Sequence, residues 1–380
     1  MLNRMKGFLY DCIGIMARFG KRSNPVPKVL LVKTDEIGDF MLWHHFLDEL
    51  IAADRFTHHE IHFCGNSGWK SLFDCFHKGA VTHTYWLQKP VFKRDMRYRY
   101  RFLQNLYREN YSCVINLQFS RDKTFDDAIV QAAKAPLNIG MVSNLENVRT
   151  YQSGYDKGLY NELFDYPEKP LFECYRNRLF TEFITGKSSL VKNTRINTTL
   201  LPALPFTLPK PYFVVFPGSR SAARIWPAAF FITTANYLYD TFGWTAMVCG
   251  GPGDTVFSAA FLAGYQHPAV DLTAKTSLPE LMSVLQNAEC LLSVDTGSVH
   301  LAAAVGCTVF GVFNGSQYGR FAPYPKETAD NFYAVYPDEV EKETRDPQLV
   351  KEKYEYVVKL AYSHVLPEKL IQQIKQHYHQ

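Results

Sequence analysis

No Asp-x-Asp triplet and no Cys-x-x-Cys pair occurs in these 380 residues. The first absence removes one common carboxylate arrangement for holding a divalent cation, and the second removes the dithiol spacing of zinc sites and redox centres. The eight cysteines are scattered, and Cys64, Cys113, Cys249 and Cys290 sit in apolar runs. They read as reduced core thiols of a cytoplasmic protein. Charge of one sign is scarce as well. Forty-one basic against thirty-seven acidic side chains leave +4, too little for a general nucleic-acid binder. Residues 1–20 lack the unbroken apolar core and small-residue cleavage site of a secretory signal, because Asp11 and Cys12 interrupt them. They are also too polar to span a bilayer. Two readings of residues 1–27 stand side by side: an amphipathic helix lying on a membrane surface, and a helix packed on the domain behind it.

A second Asp-Thr-Gly is missing too. The one copy, Asp295-Thr296-Gly297, argues against an aspartic protease, whose chemistry needs two carboxylates sharing a proton. The residues that follow, Leu301-Ala-Ala-Ala-Val305, read as helix and not as the all-β surroundings of such an enzyme.

With 47% hydrophobic and 21% charged residues, the chain is globular and long enough for two cores. Short apolar strands are expected at 29–33, 60–64, 111–117 and 138–141, with helices over 40–51 and 126–134. A stretch rich in proline, threonine and asparagine at 193–211 reads as a linker. The alternation then resumes, with strands at 212–216, 245–249, 290–294 and 308–313 and helices at 227–241, 278–287 and 299–305. Residues 346–380 look helical and are expected to pack back across both halves. This is an α/β pattern of βαβ units, two Rossmann-like domains at 28–192 and 212–345 with a ligand cleft between their carboxyl edges.

Cys290-Leu-Leu-Ser-Val-Asp295-Thr-Gly-Ser-Val-His300 is a strand that ends in a polar turn with a helix directly behind it. Backbone N–H groups, a helix dipole and two polar side chains then converge on one point, which suits a diphosphate. Val214-Val-Phe-Pro-Gly-Ser219-Arg220 through Arg224-Ile-Trp226-Pro repeats the plan with basic residues. The bland alternatives are a strand end with a helix cap, and for His300 a satisfied helix histidine. Gly250-Gly-Pro-Gly-Asp254 reads as a tight turn.

Together with Val29-Leu-Leu-Val-Lys-Thr-Asp-Glu-Ile-Gly38-Asp39 and Asp271-Leu-Thr-Ala-Lys-Thr-Ser-Leu, these segments resemble the bacterial heptosyltransferases of glycosyltransferase family nine. The ordered set covers roughly residues 28 to 325. The resemblance implies a GT-B architecture, with acceptor on the first domain and nucleotide-sugar donor (ADP-heptose by family default) on the second. It also implies work on the lipopolysaccharide core. Where the family usually has lysine two residues before the tryptophan, this chain has Arg224, a planar fork in place of a point charge.

Sugar transfer needs a base for the acceptor hydroxyl and a holder for the departing diphosphate. Asp39 is the candidate base, although an aspartate ahead of an apolar-periodic helix is also a preferred cap. Asp35 and Glu36 stand behind it in the same loop. Ser219, Arg220, Arg224, Asp295, Thr296, Gly297 and His300 are the candidate donor contacts. No metal or other cofactor is expected. His58-His59-Glu60-Ile61-His62 overlaps a strand start, not a helix, and is not read as a zinc site.

Lys93-Arg94-Asp95-Met-Arg97-Tyr-Arg99-Tyr-Arg101 concentrates five cations in nine residues. Arg97, Arg99 and Arg101 are the candidate contacts to an anionic glycolipid acceptor, against a solvated face as the bland reading. The expected activity is that of a metal-independent inverting glycosyltransferase in the cytoplasm, peripheral on the inner membrane face. The alternatives are a non-catalytic nucleotide-sugar-binding protein and a GT-B sugar-nucleotide epimerase.

Overall fold

Each half of the chain builds one six-stranded, wholly parallel sheet. The computed structural model describes residues 2–23, 26–148, 154–166, 171–221 and 224–378. The chain divides into one unit of Met1–Pro167 with Arg176–Leu190 and a second of Glu168–Tyr175 with Val191–Gln380.

In the first unit the strands are β1 (Lys28–Lys33), β2 (Glu60–Asn66), β3 (His83–Leu87), β4 (Cys113–Asn116), β5 (Leu137–Met141) and β6 (Glu162–Phe164), in the order β3-β2-β1-β4-β5-β6. The second unit repeats the winding with β7 (Tyr212–Phe216), β8 (Thr245–Val248), β9 (Ala269–Asp271), β10 (Cys290–Val294), β11 (Thr308–Val312) and β12 (Phe332–Val335), in the order β12-β11-β10-β7-β8-β9. Strand order reverses between β1 and β4 and again between β7 and β10. A crevice opens at such a switch point, outside the carboxyl ends of the strands, and ligands bind there in open α/β sheets.

Parallel strands are covered on both faces, so they read as unbroken apolar runs. Val29 to Val32 and Leu291-Leu292 are such runs and are fully buried. In the first unit the covering helices are α1 (Leu2–Ala17), the short α2 (Ile37–Met41) and α3 (Leu47–Ile51), α4 (Lys70–Phe76), α5 (Lys89–Arg94), α6 (Met96–Arg108) and α7 (Asp126–Ala133). Next comes α8 (Glu173–Thr185). The second unit uses α9 (Ala228–Phe242), α10 (Thr255–Gly264), α11 (Leu278–Gln286), α12 (Gly297–Val305), α13 (Asp338–Glu343), α14 (Pro347–Leu349) and α15 (Pro367–Tyr378).

The single helix expected over 40–51 is broken into α2, a 3₁₀ turn at His44–Phe46 and α3. An unbroken helix buries one stripe, yet Phe40, Met41, Leu42 and Trp43 are all buried in succession. Kinking the chain after Met41 satisfies all four. Phe40 stacks on Trp69 with ring centroids 4.2 Å apart, and Trp43 stacks on Phe63 at 5.8 Å. The tail is helical only in parts, chiefly α15, which packs against α9, β11 and β12 of the second unit. Trp226 is fully buried and donates its indole N–H to the Val365 carbonyl at 2.8 Å, so this tail also braces the loop after β7.

Of the two readings of residues 1–27, the structure shows α1 packed on the first unit against α6 and α7, burying Ile13 and Ala17.

Candidate active site

The loop that leaves β1 holds a closely packed set of ionisable groups. Lys33 is fully buried, donates to the Asp35 carboxylate at 2.7 Å and to the Leu117 carbonyl at 3.2 Å, and lies over the Trp43 ring. The Asp35 carbonyl accepts from the Asn66 amide and the Trp69 indole, at 2.9 and 3.0 Å. The Thr34 N–H donates to Gln118 at 3.0 Å, which ties this loop to the one after β4 across the switch point.

Desolvation pushes the Asp35 carboxyl up to about 7, against the lowering pull of Lys33 and with an added push from Asp39. Asp39 is the third residue of α2, and its carboxylate accepts from the Glu36 N–H at 3.4 Å. Glu36, and not Asp39, is thus the N-cap residue; Asp39 lies inside the first turn and accepts back from it, a bond an asparagine oxygen would also accept. Glu36 in turn accepts from Lys89 at 2.9 Å.

Beside this loop, after β4, lies a polar cluster that the sequence reading passed over as an ordinary helix start. Asn116 donates to Asp126 at 2.9 Å and Asp127 at 3.2 Å, and Arg121 bridges Asp127 and Asp156 at 3.1 and 2.6 Å. Tyr155 and Tyr160 both donate to Asp127. Burial, with Asp127 next to it, drives the Asp126 carboxyl well above the usual range. The sequence signal was the Arg121…Asp126-Asp127 spacing at a strand end, where buried charges need partners.

In the second unit, β7 and β10 flank the switch point and their loops meet. Arg224 reaches the Asp295 carboxylate at 3.2 Å and the Asp295 carbonyl at 3.3 Å. Burial raises the Asp295 carboxyl and Arg224 lowers it. Asp295 is thus the counter-ion that aims Arg224, and the two side chains expected on the donor side form one pair.

Thr296 precedes α12 without capping it; its hydroxyl meets Ser298 at 2.7 Å, and Ser298 meets Ser293 at 2.8 Å. Gly297 is the first residue of α12. His300 is buried in the second turn, with Nδ1 2.8 Å from the Tyr324 hydroxyl. Burial and then Arg224 lower its imidazole to about 4, so it is neutral at pH 7 and offers a hydrogen bond, not a charge. Ser219 is buried beside the loop, its hydroxyl accepting from the Ser221 N–H at 3.3 Å, and Arg220 is exposed.

The turn 250–254 organises this edge. A Cβ on Gly218 would lie 2.5 Å from both Cβ and Cγ of Asp254, and one on Gly250 would lie 2.8 Å from the Asp254 Cβ. Both glycines thus make room for Asp254, whose carboxylate accepts from the Gly251 N–H at 2.8 Å. Asp254 links the loops after β7 and β8, a role the tight-turn reading missed.

The candidate acceptor arginines divide. Arg97 and Arg101 are exposed on the outward face of α6. Arg99 is only 2% exposed; it donates to the Thr124 carbonyl at 3.0 Å and sits 4.3 Å from the Tyr10 and Phe92 rings. Helical spacing turns it inward, so Arg99 has a structural task and does not face an acceptor. The 58–62 segment enters β2; His62 pairs with the Tyr111 hydroxyl at 3.0 Å, and no group of three or more metal-ligating side chains occurs among the described residues.

Two parallel sheets wound alike, each with polar loops at its switch point, define the GT-B class. Residues 99–349 match Glycosyltransferase family 9 (heptosyltransferase), and the chain belongs to that family. It is 28% identical over 153 residues to lipopolysaccharide heptosyltransferase 3 of Escherichia coli, a match that covers 40% of this chain and 44% of that protein. The match thus spans less than half the length of that relative. Among solved structures, the family 9 glycosyl transferase from Veillonella parvula is 14% identical, with 93% of this chain and 98% of that one covered and a TM-score of 0.65. Escherichia coli heptosyltransferase WaaC with ADP is 18% identical over 93% and 98% of the two chains, with a TM-score of 0.61. At these identities the likeness is one of fold.

Two outcomes are expected. Gly218→Ala should displace Asp254 and cost about 1–3 kcal/mol by overpacking. In a double-mutant cycle with Asp254→Ala the two losses should not add, as measured by urea denaturation. For Asp35, a folded-state value raised above the unfolded one gives stability that is complete below about pH 4 and lost as pH rises through about 7. Asp35→Asn should therefore flatten the decline of Tm across that window, and an unchanged profile would place the decline elsewhere.

Proposed function

We propose that the protein is an inverting glycosyltransferase that moves heptose from a nucleoside-diphosphate sugar to a lipopolysaccharide-type glycolipid without a bound metal. The observation that carries this reading is Arg224 held by Asp295 beside the N-terminus of α12, at the switch point of the second sheet. The departing diphosphate needs fixed positive charge where its own charge develops. The helix terminus contributes only about 0.3–1 kcal/mol, up to ~2 when partly buried. Arg224 is the larger contributor, and its planar fork suits two phosphate oxygens. A Tyr324 hydroxyl that donates to Nδ1 leaves the His300 proton on Nε2, and the ring then serves as a neutral donor.

On the acceptor side, Asp39 takes the proton of the attacking hydroxyl while retaining its capping bond. Attack on the sugar face opposite the diphosphate inverts the anomeric centre. Asp35, raised toward neutrality next to it, acts on the charge that Asp39 senses. Heptose is supported by the family and by the lipopolysaccharide heptosyltransferase 3 relative, and an ADP leaving group by the fold likeness to WaaC, whose structure holds ADP. The lack of Asp-x-Asp together with Arg224 supports the metal-free route. Arg97 and Arg101, exposed on α6, support the anionic character of the membrane-held acceptor.

Asp39→Asn should leave Tm unchanged, since an asparagine oxygen can accept the same Glu36 N–H bond, and lower kcat by roughly 10²–10⁴. Retention of most activity would reduce Asp39 to a cap. Arg224→Gln combined with Asp295→Asn removes the cation without stranding a buried carboxylate. Loss of one charged hydrogen-bonding group at about 1.5–3 kcal/mol predicts roughly 10–150-fold weaker ADP binding by calorimetry. EDTA should leave transfer intact, and its abolition by chelation would refute the metal-free route.

A further inference from the structure

Helix α1 buries only part of its apolar surface. Ile13 and Ala17 face the first unit, while Met5 (62% exposed), Phe8 (72%), Leu9 (45%), Ile15 (50%) and Met16 (50%) face outward. With half-exposed Cys12 they fall at i, i+3, i+4, i+7, i+10 and i+11, one continuous stripe of about 120° by helical geometry. Soluble surfaces seldom carry a contiguous apolar patch of this kind unless something covers it.

The neighbouring helix supplies the charge. Arg97, Arg101 and Arg108 share the outward face of α6, all are exposed, and none makes an ion pair among the described residues. Arg97 and Arg101 rim a cavity of about 370 Å³ floored by Leu9, Ile13, Met16 and Met96. Local acids do not neutralise this face. Asp11 is held by Lys123 at 2.8 Å, and Asp95 caps α6 by accepting from the Arg97 and Tyr98 N–H groups at 2.8 and 3.0 Å.

The position of the stripe is defined as well. The Tyr10 hydroxyl donates to the Lys93 carbonyl at 2.6 Å, and Lys123 lies in the loop after β4, so the middle of α1 sits at the carboxyl edge that carries Asp39.

We propose that this face of the first unit docks on an anionic phospholipid bilayer, with Phe8, Met5 and Met16 in the interfacial layer and Arg97, Arg101 and Arg108 against lipid phosphates. An apolar stripe flanked by unpaired arginines matches such a surface in both polarity and charge. It does not match a second copy of the same positive face. The docking requires no sugar chemistry, so it stands or falls apart from the transferase reading.

Flotation of the full chain with vesicles tests it. The protein should float with phosphatidylglycerol–phosphatidylethanolamine vesicles and bind phosphatidylcholine vesicles at least about 10-fold more weakly. Phe8→Glu should weaken binding to the anionic vesicles by about 10–100-fold. Arg97→Gln with Arg101→Gln and Arg108→Gln should weaken it by about 10²-fold. All these positions are exposed, so unchanged thermal melts should confirm folding. No flotation, equal binding to both vesicle types, or indifference to Phe8→Glu would overturn the proposal. So would a dimer that Phe8→Glu dissociates, or capture of soluble glycerol phosphate without vesicle recruitment.

Discussion

A wholly parallel sheet must be covered on both faces, and that requirement drives its polar chemistry to the strand ends. In each unit the first and fourth strands are paired neighbours whose outgoing connections turn to opposite sides, and a crevice opens at their carboxyl ends. Lys33, Asp35 and Asp39 gather at one such crevice, and Arg224, Asp295 and Thr296 at the other. The two sets differ in sign. The first is rich in carboxylates and suits proton removal, whereas the second ends in a guanidinium beside a helix N-terminus and suits an anion.

Within each set the burial of charge explains the arrangement better than a count of ion pairs does. Desolvating one partner alone is expensive, so buried ions occur with counter-ions and supporting hydrogen bonds. Asp295 therefore belongs to Arg224, and Asp127 to Arg121 with two tyrosines. His300 resolves the same problem by losing its proton, because burial and a nearby arginine both oppose the charge. Asp254 resolves it through space: two glycines give it room to reach the Gly251 N–H.

Helix α1 obeys the opposite rule on its outer face, where apolar side chains meet solvent beside arginines on α6. Tyr10 and Asp11 fasten its middle to the carboxyl edge of the first sheet. That attachment places the apolar stripe and the Asp39 loop at the same end of the unit.

Much of this was legible in the residue order. Apolar runs such as Leu30-Leu-Val and Leu291-Leu292 announce buried parallel strands because their period is neither 2 nor 3.6. Glycine and Asp-Thr-Gly turns mark where those strands stop, and the family's ordered motifs fall on the same turns. What each side chain does there depends on neighbours distant in sequence. Arg99 looked equivalent to Arg97 and Arg101, but the helix turns it toward Tyr10 and Phe92, 89 and 7 positions away. Asp295 and Arg224, 71 positions apart, form an ion pair that the residue order does not announce. The 40–51 helix broke because four successive side chains found a core to enter. By itself, the sequence determined the α/β class, the strand ends and the family, since local periodicity and turn chemistry carry that information. Only the tertiary structure decided which charges are paired, which histidine is neutral and which face of α1 is left uncovered, because burial and pairing arise from contacts between residues far apart in the chain.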